Sequence, residues 1–298
     1  MRITTTSTTP EPEAVRHRRA AERACARITR REAKNFYLGF LALPRPKRIA
    51  IYSLYSFARQ VDDEVDDAPG PEAAGQGLAR QRARLEAGLR GVHREDPVMQ
   101  ILAATVDRFG IPASELLEII EGVEMDLRTT RYETWDELSE YCRRVAGAVG
   151  RMCTRIFGAD GEAALHHADN LGLALQLTNI LRDVLEDASM DRVYLPLQDL
   201  QRHGLSASDL VARVPHPESG WEALVAFEVD RARGLYQDGL QLCEQVPKNS
   251  AACLRTMAGI YEQILDRIAA EPRAVLSGRV SLSMGSKLGI AARSWLAA

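Results

Sequence analysis

Two polar stripes, each running along an otherwise apolar helical segment, constrain this chain more than any other feature. Tyr55, Arg59, Asp62 and Asp66 are spaced 4, 3 and 4 residues apart; Gln176, Asn179, Asp183 and Asp187 are spaced 3, 4 and 4. Residues three or four apart stack on one helix face, so each stripe is one-sided and ends in a D-x-x-x-D pair. Their surroundings are apolar: Ile51, Leu54 and Phe57 in the first segment, Leu171, Leu173, Leu175, Leu177, Ile180 and Leu181 in the second. Carboxylates on such helices are costly to bury unless they are paired or hold a metal. Two such claws facing each other would make a cage for hard divalent cations.

An acidic run such as Asp62-Asp-Glu-Val-Asp-Asp67, taken alone, is most often a solvated face, and Asp63, Glu64 and Asp67 are read as such a face or as residues one layer behind the metal ligands. The second motif favours function, because it ends the most apolar stretch of the chain and repeats the geometry of the first. Mg²⁺ held by a few carboxylates, with its other positions on water and phosphate, is the usual arrangement for diphosphate substrates.

Helical periodicity dominates and strand alternation is nearly absent. Helices are expected over 14–42, 46–67, 73–93, 96–109, 113–127, 134–157, 161–187, 207–212, 220–245, 249–270 and 286–297, with breaks at Pro44/Pro46, Pro69-Gly-Pro71, Gly110-Ile-Pro112, Gly158–Gly161 and Pro247. Thr134-Trp-Asp-Glu137 reads as a capping box. Residues 188–219 read as a loop with one short helix. Short connections imply antiparallel neighbours in an all-α bundle, a single domain over 13–298 after a disordered stretch at 1–12.

The 298 residues are 46% hydrophobic and carry a net charge of −3, which gives no case for nucleic-acid binding. Five cysteines without C-x-x-C spacing read as reduced, buried thiols in a cytoplasmic protein. The adjacent His166 and His167 should point apart and not share an ion. No run of about 18 apolar residues exists to span a membrane. The basic stretch Arg16–Arg31 lacks the apolar centre of a secretory signal; it reads first as a solvated helix and second as a contact for an anionic membrane. Ala146, Gly147, Ala148 and Gly150 form a side-chain-poor patch with two readings: close helix packing, or room for a long hydrocarbon walled by Ala168, Leu171 and Leu175.

Tyr52-Ser-Leu-Tyr-Ser-Phe-Ala-Arg-Gln-Val-Asp-Asp-Glu-Val-Asp-Asp67 and Leu175-Gln-Leu-Thr-Asn-Ile-Leu-Arg-Asp-Val-Leu-Glu-Asp187, followed by Arg192-Val-Tyr-Leu-Pro196, resemble the two signatures of the squalene/phytoene synthase family. Lys34–Phe40, Glu124-Met-Asp126 and Arg131-Tyr132 also fit, and the resemblance covers roughly residues 30–290. It implies an isoprenoid-synthase helical bundle around a central cavity, about three Mg²⁺ ions and two allylic isoprenyl diphosphates. Carried over, Asp62, Asp66, Asp183 and Asp187, assisted by Asn179, would ligate metal. Lys34, Tyr55, Arg59, Arg182, Tyr194 and Arg279 would hold diphosphate oxygens, and Phe36, Phe40, Tyr141, Val145, Ala146, Gly150, Gln176 and Tyr261 would line the cavity.

Within the family, Arg279-Val-Ser-Leu-Ser283 and Tyr141–Gly150 look most like the presqualene diphosphate synthases of hopanoid biosynthesis, with phytoene synthase as runner-up and full squalene synthesis a further alternative. The implied reaction ionises one farnesyl diphosphate. The 2,3-double bond of the second substrate attacks the cation, and loss of a proton closes a cyclopropane. The released diphosphate is the expected base, with Tyr55 or Tyr141 as secondary candidates. That step needs no NADPH, and no G-x-G-x-x-G fingerprint occurs. Product delivery to a membrane or to a downstream squalene-forming enzyme is the expected partnership. Two departures stand out: Leu185 where the family often has Gly, and Glu32-Ala-Lys-Asn35, which leaves only Lys34 as a phosphate ligand there. A head-to-tail elongase usually shows D-D-x-x-D twice, and a non-catalytic scaffold has no need of aligned Tyr, Arg, Asn and Gln.

Overall fold

Apolar stripes punctuated by proline and glycine fold here into packed helices. The computed structural model describes residues 13–93, 95–212 and 218–297 and contains no strand among them. In chain order the helices are α1 (Glu13–Glu32), α2 (Tyr37–Phe40), α3 (Arg45–Asp66), α4 (Pro71–Leu89), α5 (Pro97–Phe109), α6 (Ala113–Met125) and α7 (Trp135–Cys142). After them come α8 (Ala148–Phe157), α9 (Glu162–Ser189), α10 (Leu197–Arg202), α11 (Ala207–Val211), α12 (Glu218–Gly239), α13 (Lys248–Ala270) and α14 (Met284–Leu296). Residues 1–12, where disorder was expected, lie outside the described residues.

Buried apolar side chains from Ala21 to Ile290 form one connected core. Helix α3 begins at Pro44-Arg-Pro46, where proline costs no hydrogen bond. Asp96 caps α5 by accepting from the Val98 and Met99 amides, and Arg84 of α4 grips the same carboxylate. Helices α3 and α9, which carry the acidic pairs, barely touch; both pack on α8.

Several expectations are corrected. The segment 14–42 is two helices, because the chain turns at 33–36. The described residues between α9 and α12 hold two short helices, α10 and α11, started by Pro196 and by a Ser206/Asp209 capping box. Thr134 does cap α7, but Glu137 reaches back to the Glu133 amide at 2.7 Å instead of completing a box. A π-helical turn, Arg143–Gly147, interrupts the single helix expected over 134–157. The rings of His166 and His167 do not diverge; both lean on the Asp238 carboxylate of α12, at 3.6 and 3.1 Å. The five cysteines are unbridged, and Cys153 is only half-buried. Burial pushes the thiols upward, Cys25 to about 12 and Cys243 to about 11.

The small-residue patch serves helix packing. A Cβ on Gly150 would sit 2.8 Å from the Ala168 carbonyl oxygen, and one on Gly172 would sit 3.0 Å from the Ala146 carbonyl. The backbones of the α7–α8 stretch and α9 approach too closely there for a side chain. Gly150 therefore points at α9 rather than at hydrocarbon, and Ala168 is its packing partner. Val145 seats against Gly122 of α6, where a Cβ would come within 2.7 Å of its Cγ1. Gly150→Leu is expected to lower stability by about 1–3 kcal/mol through overpacking. Differential scanning calorimetry would show the loss, with activity on short and long substrates falling together.

Candidate active site

Helix α3 delivers Asp62 and Asp66 and helix α9 delivers Asp183 and Asp187 to one cavity of about 380 Å³, lined also by Arg59, Val65, Val123, Asp126, Glu186, Met190, Arg192, Tyr194 and Arg279. Six carboxylates thus face three guanidinium groups. The imbalance shows in the acids themselves. Burial, with Asp66 and Asp126 nearby and Arg59 opposing, pushes Asp62 up to about 7. Burial and the adjacent Asp183 and Glu186 push Asp187 to about 7 as well.

The turn that ends α9 is part of the site. Asp191 adopts a left-handed conformation (φ 58°), the Asp191 amide donates to the Ala188 carbonyl at 3.1 Å, and the Arg192 amide donates to the Asp187 carbonyl at 2.9 Å. This is a Schellman turn with aspartate where glycine is usual, and Arg131 Nη2 holds the Asp191 carboxylate at 2.6 Å. The chain then pairs briefly with the 130s, Val193 N to Thr130 O at 2.9 Å and Leu197 N to Tyr132 O at 2.9 Å. That pairing swings Arg192 and Tyr194 back beside Asp187.

Asp126 is a site residue that spacing alone did not reveal. Tyr141 and Tyr194 donate their phenols to its two oxygens at 3.1 and 2.8 Å. Tyr132, Tyr141 and Tyr194 stack, with ring centroids 5.3 to 6.0 Å apart. Tyr141 is accordingly committed to Asp126. Arg192 was likewise not singled out as a site residue; a lone Asp past a helix end and a lone Arg in a loop form no periodic pattern. Asp63 and Glu64 are engaged by neighbouring side chains, which favours the supporting reading of these residues over the solvated one. Asp63 accepts from Arg59 Nε at 2.7 Å, and Glu64 accepts from Gln81 Nε2 at 2.8 Å and from Arg80. Asp67 is exposed.

A second group lies behind Asp183. Arg182 donates to Asp183 Oδ1 at 2.8 Å, and Arg279 Nε lies 2.9 Å from the same oxygen. The Arg182 guanidinium sits 6.0 Å over Tyr261, which stacks on Phe36 at 5.1 Å, and Phe36 lies 6.4 Å from Phe40. Lys34 is exposed at the end of this row, its carbonyl accepting from Lys287 at 3.5 Å. Tyr55, Gln176 and Asn179 occupy the turns preceding the acids, half-buried.

The donor set fits magnesium. All its members are hard oxygens, and the buried Asn179 Oδ1 has no hydrogen-bond partner. Yet no three acidic, His or Cys side chains among the described residues converge on one point. Each ion would take one or two carboxylates and complete its shell with water and substrate phosphate, as magnesium prefers.

Comparison with known proteins agrees with this geometry. The squalene/phytoene synthase family profile matches residues 29–286. The chain belongs to the squalene/phytoene synthase family. Its members are prenyltransferases that join isoprenyl diphosphates head to head. A phytoene synthase of Mycobacterium bovis is 40% identical over 91% of this chain and 89% of its own length. The 15-cis-phytoene synthase of Synechocystis is 36% identical over 92% and 84%. Among solved structures, the squalene synthase HpnC of Alicyclobacillus acidocaldarius has a TM-score of 0.78 at 31% identity, covering 88% of this chain and 96% of that one. A dehydrosqualene synthase in complex with ligand has a TM-score of 0.85 at 27% identity, covering 95% and 98%. The fold is the isoprenoid-synthase helical bundle expected.

Two outcomes are expected. Asp62→Asn, Asp66→Asn, Asp183→Asn and Asp187→Asn should each lower turnover roughly a hundredfold or more with the circular dichroism spectrum unchanged. Asp67→Asn should stay near wild type, and Asp63→Asn should fall between through loss of its hold on Arg59; steady-state kinetics ranks them. The second concerns pH. Carboxyls raised in the folded state stabilise it fully below the unfolded value of 3.8 and lose that contribution as pH rises through about 7. The metal-free thermal midpoint should therefore fall between about pH 4 and about pH 7, and saturating Mg²⁺ should reverse the fall at the upper end.

Proposed function

We propose that this protein condenses two geranylgeranyl diphosphates head to head, releasing diphosphate and forming a phytoene-type C40 hydrocarbon in an Mg²⁺-dependent reaction. One observation carries the reading: relatives at 34 to 40% identity over 82 to 92% of the chain are named phytoene synthase. The acidic claws on α3 and α9, which share one cavity, are consistent with it. Bound at Asp62, Asp66, Asp183 and Asp187, with Asn179, magnesium would supply Lewis-acid charge to the departing diphosphate.

The chain's own residues do the rest. Arg59, Arg192 and Arg279 lie along the cavity and can take diphosphate oxygens; Arg182 and Lys34 extend that row. Arg182 and Arg279 neutralise Asp183 in the absence of substrate, and turning toward a diphosphate frees that carboxylate. Tyr194 and Tyr141 fix Asp126, so the carboxylate cannot swing toward the reacting carbons. Val65, Val123 and Met190 give the cavity an apolar side that limits water near an allylic cation. Attack by the second substrate's 2,3-double bond, then proton loss, gives a cyclopropylcarbinyl diphosphate. Ionisation of that intermediate, rearrangement and a second proton loss give the C40 product without a reductant.

The second reading uses farnesyl diphosphate and stops at presqualene diphosphate. It is favoured by the Arg279–Ser283 tail and by structural similarity to the squalene and dehydrosqualene synthases. The relatives named phytoene synthase support the C20 reading, whereas the tail and the Tyr141–Gly150 segment support the C15 one. Incubation with each diphosphate and Mg²⁺, with and without NADPH, followed by chromatography of extracted and dephosphorylated products, decides between them. The C40 hydrocarbon is expected from the C20 substrate without NADPH. Exclusive use of the C15 substrate would overturn the phytoene reading.

A further inference from the structure

Helix α14 has two faces of different character. Its inner face buries Lys287, Ile290, Ala291 and Ser294 against α13 and α2. Its outer face exposes Met284 (60%), Leu288 (52%), Trp295 (47%) and Leu296 (89%) to solvent. On an ideal helix Met284, Leu288 and Trp295 fall within a sector of about 40°, and Ala292 and Leu296 widen it to about 120°. Leu41, just past α2, is exposed as well.

The only charged side chains on the helix itself are basic. Residues 283–297 contain no acidic side chain. Arg293 is exposed on the helix, Arg255 donates to the Ala297 carbonyl at 3.2 Å, and Arg48 donates to the Leu41 carbonyl at 3.5 Å. Lys287 donates to the carbonyl of the exposed Lys34 at 3.5 Å, at the other end of the helix. An exposed apolar strip with a terminal tryptophan and a basic rim suits the boundary of an anionic bilayer: the rim meets headgroups and the strip enters the acyl edge. A second copy of the chain suits it less. Thirteen helical residues span about 20 Å, so one such face falls far short of the roughly 800 Å² per partner of a stable dimer. No described helix is long and apolar enough to cross a membrane, so the contact is peripheral.

We infer that the outer face of α14 docks this protein on anionic lipid membranes. The location gives the docking a use. The loop carrying Arg279, which lines the cavity, runs directly into α14, so docking holds that edge of the site near the bilayer. An amphiphilic substrate could then enter, and a hydrocarbon product leave, without crossing bulk water. That use rests on the proposed reaction; the docking itself does not.

The test uses the full chain with vesicles of phosphatidylcholine and phosphatidylglycerol, and with vesicles of phosphatidylcholine alone. Co-sedimentation is expected with the anionic vesicles only, weakening as salt is raised. Trp221 is fully buried and Trp135 half-buried, so a blue shift of tryptophan emission on binding should come from Trp295 and vanish in Trp295→Phe. Leu288→Glu and Trp295→Glu should weaken vesicle binding roughly tenfold or more, with thermal midpoints and turnover of detergent-dispersed substrate unchanged. Absence of wild-type binding, equal binding to neutral vesicles, or unweakened binding by both variants would overturn the proposal. So would a wild-type dimer, ignoring vesicles, that both variants convert to monomer. Vesicle binding is read without turnover, so an inactive but vesicle-bound protein would refute the reaction and still support the docking.

Discussion

Six carboxylates gathered around one cavity are the constraint on which the rest of this structure depends. Burial first, and then neighbouring carboxylates, raise Asp62, Asp66, Asp126 and Asp187 above the ordinary carboxylate range. The surrounding residues manage that charge. Arg59 is shared between Asp63 and Asp66, Arg182 and Arg279 converge on Asp183, and two phenols hold Asp126.

Much of this was legible in the sequence because it is periodic. The D-x-x-x-D pairs, the residues leading into them and the apolar positions around them repeat at helical spacing, and that spacing places Asp62 and Asp66 together as surely as Asp183 and Asp187. The all-α architecture followed from the same signal. What escaped has no period. Asp126 lies just past the end of α6, and Arg192 reaches the cavity only because Asp191 takes a left-handed turn that glycine would normally supply.

Other residues were left with two readings for a different reason. Asp63 and Glu64 could be solvated or supporting because sequence shows which residues share a face of α3 but not what packs against it; α4 brings Arg80 and Gln81 to Glu64. Gly150 and Ala168 looked like cavity walls because small residues create space in the abstract. Here the space is already filled by the backbone of the neighbouring helix. Composition can reveal that two elements come close; only tertiary structure reveals whether anything fits between them.

Helices α3 and α9 barely meet directly, and α8 packs on both. It does so near their starts: Lys47 Nζ of α3 donates to the Phe157 carbonyl at 2.8 Å, and Gly150 abuts Ala168 of α9. The acidic pairs sit at the opposite, C-terminal ends of the same two helices. The helices are thus joined at their roots and carry their carboxylates at the tips, like the arms of tweezers. Packing around α8 bears on the roots, while the cavity opens between the tips.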